Sequence, residues 1–262
     1  MGRNVKKPVR RRGAKRQAER RGGRKKKRVA FDVVTTTILI VAICVFAFSL
    51  FQLVKMLIPY YSGGKEYDKL KDKAITIETT KDSEDTSEAR FKVDFDVLLQ
   101  ENPDTVAWIR FDEPSIISYP VVKSADNKEY LTKTFTESDN KLGAIFMDMR
   151  NTSDFSDKNT MIYGHNMKNG SMFSDLEKYL NKDFLNSHFN FKIYTPTCNY
   201  EARIFSVYSI GVETESNNIK SLNFEDRIEY YKKASEYNIE TDSNIKKIVK
   251  LSTCSYLNAT TT

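Results

Sequence analysis

The sequence predicts a mainly β domain with peripheral helices, carried behind one membrane-spanning helix. Three observations predict it. Val33 to Val54 is a run of 22 residues without a charged side chain, and a helix needs roughly 20 apolar residues to cross a bilayer core. Beyond residue 90 the chain is broken into short runs rich in β-branched and aromatic residues, separated by turn residues. Longer helical patterning in that part is confined to Met172 to Leu180 and Phe224 to Tyr237. Many short strands with few helices suggest a mainly antiparallel barrel or sandwich with helices at its edges.

The first element is a basic tail, residues 1–28. Its 15 Lys and Arg against one acid, Glu19, give a formal charge of +14; the whole chain's +7 therefore leaves the remainder at −7. The basic balance belongs to a tail and not to a basic domain. Next to an apolar span, such a tail is explained more simply by anionic lipid headgroups than by nucleic acid. Residues 29–58 are read as an uncleaved signal-anchor, because no small-residue cleavage site follows the apolar run. Tyr60 and Tyr61 suit the membrane interface, and the positive-inside rule places the tail in the cytoplasm and the rest outside.

Residues 59–90 read as an extracellular stalk. Gly63-Gly64 is expected to break the chain, Glu66 to Lys73 to form a short helix, and Lys81 to Ala89 to be rich in polar turn formers. The folded domain is placed at 91–262, long enough for one hydrophobic core. Asp94 is expected to cap a helix over Phe95 to Gln100, followed by a turn at Asn102-Pro103-Asp104. Strands are expected at Thr105 to Phe111, Ile117 to Val122, Ala144 to Met147, Thr160 to Tyr163, Phe191 to Tyr194, Glu201 to Ile210 and Ile245 to Leu251. Ser171 is the expected cap of the helix that begins at Met172.

Two segments carry the candidate chemistry: Tyr163-Gly164-His165-Asn166-Met167 and Leu251-Ser252-Thr253-Cys254-Ser255, each after an apolar run that reads as a strand. A thiol attacks a carbonyl as its thiolate, a form favoured by a nearby imidazolium or Arg. A histidine can also protonate a leaving amine, and the oxyanion that forms needs donors. Cys254 and His165 fill the first two roles, and Thr253 and Ser252 stand where they can help hold substrate or oxyanion. Cys44 lies in the apolar run and reads as a packing residue. Cys198 sits in a turn-like stretch; a disulfide with Cys254 is the alternative to a reactive thiol there. His188 reads as structural. The spacing of the histidines and cysteines matches no zinc pattern, so no metal site is expected.

Together with Asn102-Pro103-Asp104-Thr105-Val106-Ala107-Trp108-Ile109, Tyr119-Pro120-Val121-Val122, Gly143-Ala144-Ile145-Phe146-Met147-Asp148 and Met172-Phe173, the two segments resemble the sortase family, class B in particular. The resemblance implies an eight-stranded β-barrel with extra helices and no required cofactor. It implies a cysteine transpeptidase on the outer face of a Gram-positive membrane that cleaves a sorting signal of LPxTG or NPxTN type. A thioacyl enzyme on Cys254, with His165 as acid/base, would be resolved by an amine of a cell-wall precursor or cross-bridge, joining surface proteins to peptidoglycan. The resemblance also implies an Arg on the strand after the cysteine. Residues 255–262 read Ser-Tyr-Leu-Asn-Ala-Thr-Thr-Thr and contain none. The barrel is therefore expected to lack its last strand, and this chain to be weakly active or inactive, with Arg110, Arg150 and Arg203 as the remaining cations to weigh. Two other readings stay open: a non-catalytic, membrane-anchored surface module that keeps the fold, and a thiol protease that transfers to water.

Overall fold

A computed structural model describes residues 11–79, 89–111, 117–211, 214–215, 219–242 and 244–253. The chain divides into two compact units, Met1–Leu57 and Ile58–Thr262. The first consists, where described, of the greater part of helix α1 (Arg11–Ala74). Among the described residues α1 is the one helix long and apolar enough to cross a membrane, and the large apolar side chains of its span are exposed.

In the second unit, α1 continues through Pro59 and Gly63-Gly64 without the expected break and absorbs the short helix read at Glu66 to Lys73. The reason is tertiary: Tyr67, Leu70 and Ala74 lie on one face at helical spacing and are buried in the core. Tyr67 donates its hydroxyl proton to the Gly143 carbonyl at 3.0 Å and accepts from the Phe135 amide at 3.2 Å. Tyr67→Phe would leave that buried carbonyl and amide without this partner. It is expected to destabilise the protein by about 1–3 kcal/mol, read as a lower midpoint in thermal or urea unfolding.

The helix runs directly into β1 (Ile75–Thr79), which pairs with β2 (Ala89–Val93). Helix α2 (Phe95–Glu101) follows, and the Asp94 carboxylate accepts from the Asp96 and Val97 amides, as a cap should. The turn at Asn102 is held from inside. The buried Asn102 side chain donates to Tyr130 Oη (2.9 Å) and the Phe135 carbonyl (2.7 Å) and accepts from the Asp104 amide.

The remaining strands are β3 (Thr105–Phe111), β4 (Ser118–Val122), β5 (Ile145–Met147), β6 (Asn159–Tyr163), β7 (Asn190–Tyr194), β8 (Asn199–Arg203) and β9 (Ile248–Ser252). They form a seven-stranded sheet in the order β8-β7-β3-β4-β5-β6-β9. The sheet curls into a nearly closed barrel. Tyr200 on β8 approaches Phe155 at 6.0 Å and the Lys247 ammonium at 5.6 Å, just ahead of β9. β3 is central and buried on both faces, which is why it reads as a continuous apolar run. Trp108 is fully buried there, its indole N–H donating to Ser118 Oγ at 3.0 Å.

The sheet is mainly antiparallel, as expected, but β4 with β5 and β6 with β9 run parallel. Parallel neighbours need long crossovers, and the chain supplies them between Lys123 and Ala144 and between Gly164 and Lys247. The strand read at Glu201 to Ile210 ends at Arg203, after which the chain leaves the sheet. A 3-10 turn, Ser174–Leu180, replaces the helix expected from Met172. Ser171 does not cap it; its hydroxyl donates to Asn169 Oδ1 instead. The short helix α3 (Lys182–Ser187) was not anticipated, and α4 (Phe224–Ala234) ends short of Tyr237.

Candidate active site

The parallel pairing of β6 with β9 joins the two segments singled out in the sequence. The register sets Met161 against Lys250, Ile162 against Leu251 and Tyr163 against Ser252. One step further, the Gly164 amide donates to the Ser252 carbonyl at 3.1 Å. His165 and Thr253 therefore leave the same end of the sheet on adjacent strands. Cys254 follows Thr253 in the chain and lies outside the described residues.

Gly164 is required by packing. A Cβ at this position would fall 2.4 Å from Ile145 Cδ1 and 2.7 Å from the Phe173 ring, well inside van der Waals contact. The close approach lets the chain turn outward at His165 while the Phe173 amide donates back to the His165 carbonyl at 3.0 Å. The half-buried imidazole points its Nε2 at the Leu131 carbonyl, 2.7 Å away. A carbonyl only accepts, so Nε2 carries the proton, and in the neutral ring Nδ1 is the basic nitrogen. Gly143, at the turn into β5, packs against the same ring: a Cβ there would lie 2.9 Å from His165 Cδ2. Thr253 Oγ1 is buried without a hydrogen-bond partner among the described residues.

Beside the pair sits a polar network that sequence reasoning missed. The buried Asp148 carboxylate accepts from Arg150 Nε and Nη2 (both 2.8 Å), the Arg150 amide (2.9 Å), Asn127 Nδ2 (3.1 Å) and Tyr163 Oη (2.8 Å). The Arg150 fork holds its carboxyl well below the usual carboxylate range, with the Arg150 amide and Tyr163 hydroxyl adding to the effect. Burial first, and then the adjacent carboxylate, push the Tyr163 phenol up to about 12, so it stays a donor. Only the Asp-x-Arg spacing marked this pair in the sequence. Asp148→Asn is expected to cost about 1.5–3 kcal/mol at neutral pH, since it weakens charge-assisted bonds. A depressed carboxyl stabilises the fold fully above its ordinary value, near 4, and progressively less as pH falls through the folded value. The difference in Tm between wild type and variant is therefore expected to narrow from pH 7 to pH 3.

The other sequence candidates fall elsewhere. Arg150 is committed to Asp148, Arg110 lies over the Phe91 ring at 4.5 Å, and Arg203 lies over Phe189 at 5.5 Å. Arg203 belongs to β8. His188 is structural, as read: it stacks on Phe184 at 4.1 Å, and its Nδ1 donates to the Phe184 carbonyl. Cys198 is exposed in the turn between β7 and β8.

Residues 113–262 match the model of the sortase domain. The chain belongs to the sortase family. Its relatives place it in class B: it is 42% identical over 165 residues to sortase B of Listeria monocytogenes, a match covering 60% of this chain and 65% of the relative. The match thus spans less than two thirds of that relative's length. Among solved structures, sortase B of Bacillus anthracis superposes with a TM-score of 0.60 at 30% identity, over 76% of this chain and 93% of that one. A Staphylococcus aureus sortase B–substrate complex gives 0.57 at 29%, over 64% and 80%. The mainly β fold, the seven-stranded barrel and the position of the Tyr-Gly-His segment against the Leu-Ser-Thr segment accord with that membership.

Proposed function

We propose that this sortase is a cysteine transpeptidase that cleaves the sorting signal of surface proteins and transfers them to a peptidoglycan amine. The observation that carries the reading is the parallel register of β6 and β9, which brings Gly164 to Ser252 and so sets His165 beside the residues that lead into Cys254. Cys254 follows Thr253 directly in the chain, two residues beyond the last paired residue of β9, as His165 is two beyond the last of β6. Cys254 attacks the scissile carbonyl as a thiolate paired with the His165 imidazolium. The tetrahedral intermediate collapses to a thioester as His165 gives a proton to the leaving amine, and an incoming amine reverses the steps. The Thr253 hydroxyl, buried and unpartnered among the described residues, is assigned to substrate or oxyanion, with Ser252 alongside it. The substrate complex solved for the Staphylococcus aureus relative supports the substrate class by kinship.

The exposed apolar span of α1 supports a single-pass anchor. The cationic tail supports a cytoplasmic N-terminus, against anionic lipid, with the catalytic domain outside.

The test uses the full chain in nanodiscs with LPxTG- and NPxTN-type peptides, with and without triglycine, read by mass spectrometry. The expected result is a peptide–glycine conjugate and a thioacyl adduct mapping to the fragment that contains Cys254. Cleavage without conjugate at saturating amine would make it a thiol protease. Neither cleavage nor adduct from folded protein would make it a non-catalytic module.

A further inference from the structure

Lys250 interrupts the apolar run of β9 two residues before Ser252. Residues two apart on a strand share a face, about 6.6 Å from one another, so Lys250 and Ser252 face the same way. Lys250 forms an ion pair with Glu215, and each side chain is only 13% exposed. The Tyr208 hydroxyl donates to the same Glu215 carboxylate. The Tyr208 and Tyr231 rings flank the ammonium at 5.4 and 5.6 Å. Burial lowers the ammonium's affinity for its proton, and Glu215 works against that.

Tyr208 and Glu215 belong to the crossover that leaves β8, and this stretch is tied to α4 rather than to the sheet. Ser206 Oγ donates to the Tyr231 carbonyl at 2.6 Å, the Val207 amide to Ser235 Oγ at 3.2 Å, and the Glu236 amide to the Val207 carbonyl at 2.8 Å. The crossover and α4 thus hold together, and Lys250–Glu215 fixes them to β9. A buried ion pair is a weak source of net stability, but it is directional, and a wall beside a peptide groove needs a fixed position.

We propose that Lys250 and Glu215 are positioning residues: their ion pair fastens the β8–β9 crossover over the face of β9 that carries Ser252, and so sets one wall of the substrate groove. The proposal rests on the reading of His165 and Cys254 as the active site.

The test compares full-length wild type with Lys250→Met, Lys250→Arg and the double variant Lys250→Met/Glu215→Met, which leaves no buried charge unpaired and guards against misfolding of the single variant. Two readouts are taken: amide hydrogen exchange across residues 204–211 and 219–223, and KM and kcat for the sorting peptide. In the folded double variant, exchange in those segments is expected to rise about tenfold or more with β3 unchanged. KM is expected to rise about tenfold while kcat falls less than threefold, and Lys250→Arg is expected to restore most of the KM. Unchanged exchange in the folded double variant overturns the proposal, and so does faster exchange with an unchanged KM. If wild type itself shows no amine-captured cleavage, the active-site reading fails, and the peptide-binding constant replaces KM as the second readout: a tenfold weakening in the double variant upholds the proposal and no change overturns it.

Discussion

Replacing Cys254 with Ala is expected to reduce amine-captured peptide cleavage to background. His165→Ala is expected to lower kcat/KM by about 10²–10⁴-fold, the range that a positioned acid/base contributes. Two losses combine in the histidine variant. The thiol loses the cation that favours its thiolate, and the leaving amine loses its proton donor. The fold is expected to survive, because His165 is only half buried and its ring makes one hydrogen bond among the described residues, to the Leu131 carbonyl. Circular dichroism and an unchanged unfolding midpoint would establish that. Iodoacetamide alkylation of the Cys254 fragment near neutral pH separates the two losses, since it reports thiolate without substrate. A rate that falls in His165→Ala assigns the imidazole to thiolate formation. A rate that stays level while kcat falls assigns it to proton transfer. A folded His165→Ala variant with wild-type turnover would remove His165 from the mechanism.

Much of the site was legible because its residues are local. The two segments stand at strand ends in the sequence, and β6 and β9 reach those ends at Tyr163 and Ser252. Sequence alone does not say that these strands are neighbours: 84 residues of crossover separate them, from Gly164 to Lys247, and the parallel pairing is a tertiary fact. The Asp148–Arg150–Tyr163 network was hidden for the same reason. Its fork is local, but the hydroxyl that completes it comes from β6. Lys250 was visible as a lysine in an apolar run, yet its partner Glu215 lies 35 residues upstream in the crossover. The segment from Ser62 to Thr79 was misread for a different reason. Its composition is polar, and three apolar residues at helical spacing were too few to reveal a buried face until Tyr67 met Gly143 and Phe135. Likewise Gly63-Gly64 sits inside a helix despite its low intrinsic propensity, because packing on both sides of it fixes the backbone.

The second large effect is expected from Gly143→Ala, a change of one methyl group at the turn that packs against His165. Gly143 has φ +62°, and a Cβ there would lie 2.6 Å from the Tyr130 carbonyl oxygen, 2.9 Å from the Leu131 carbonyl oxygen and 2.9 Å from His165 Cδ2. The first two are backbone atoms and cannot swing aside. The left-handed conformation costs a non-glycine residue about 1–3 kcal/mol, and forcing a methyl into a filled site costs about 1–3 kcal/mol more. A destabilisation of about 2–6 kcal/mol is therefore expected in urea unfolding, from the two terms together. The direction of the push matters as much as its size. Leu131 supplies the carbonyl that fixes His165 Nε2, and the imidazole itself is the third atom group in the way. Relief by movement of either shifts the base, and a misplacement of about 1 Å can cost about a hundredfold in rate. Gly170→Ala is the control: Gly170 also has a positive φ, +83°, but nothing lies within 4 Å of its added Cβ. It should show only the conformational cost, about 1–3 kcal/mol, with kcat unchanged. If Gly143→Ala, once shown to be folded, loses no more activity than Gly170→Ala, the turn before β5 does not position His165, and the Leu131 contact is incidental to catalysis.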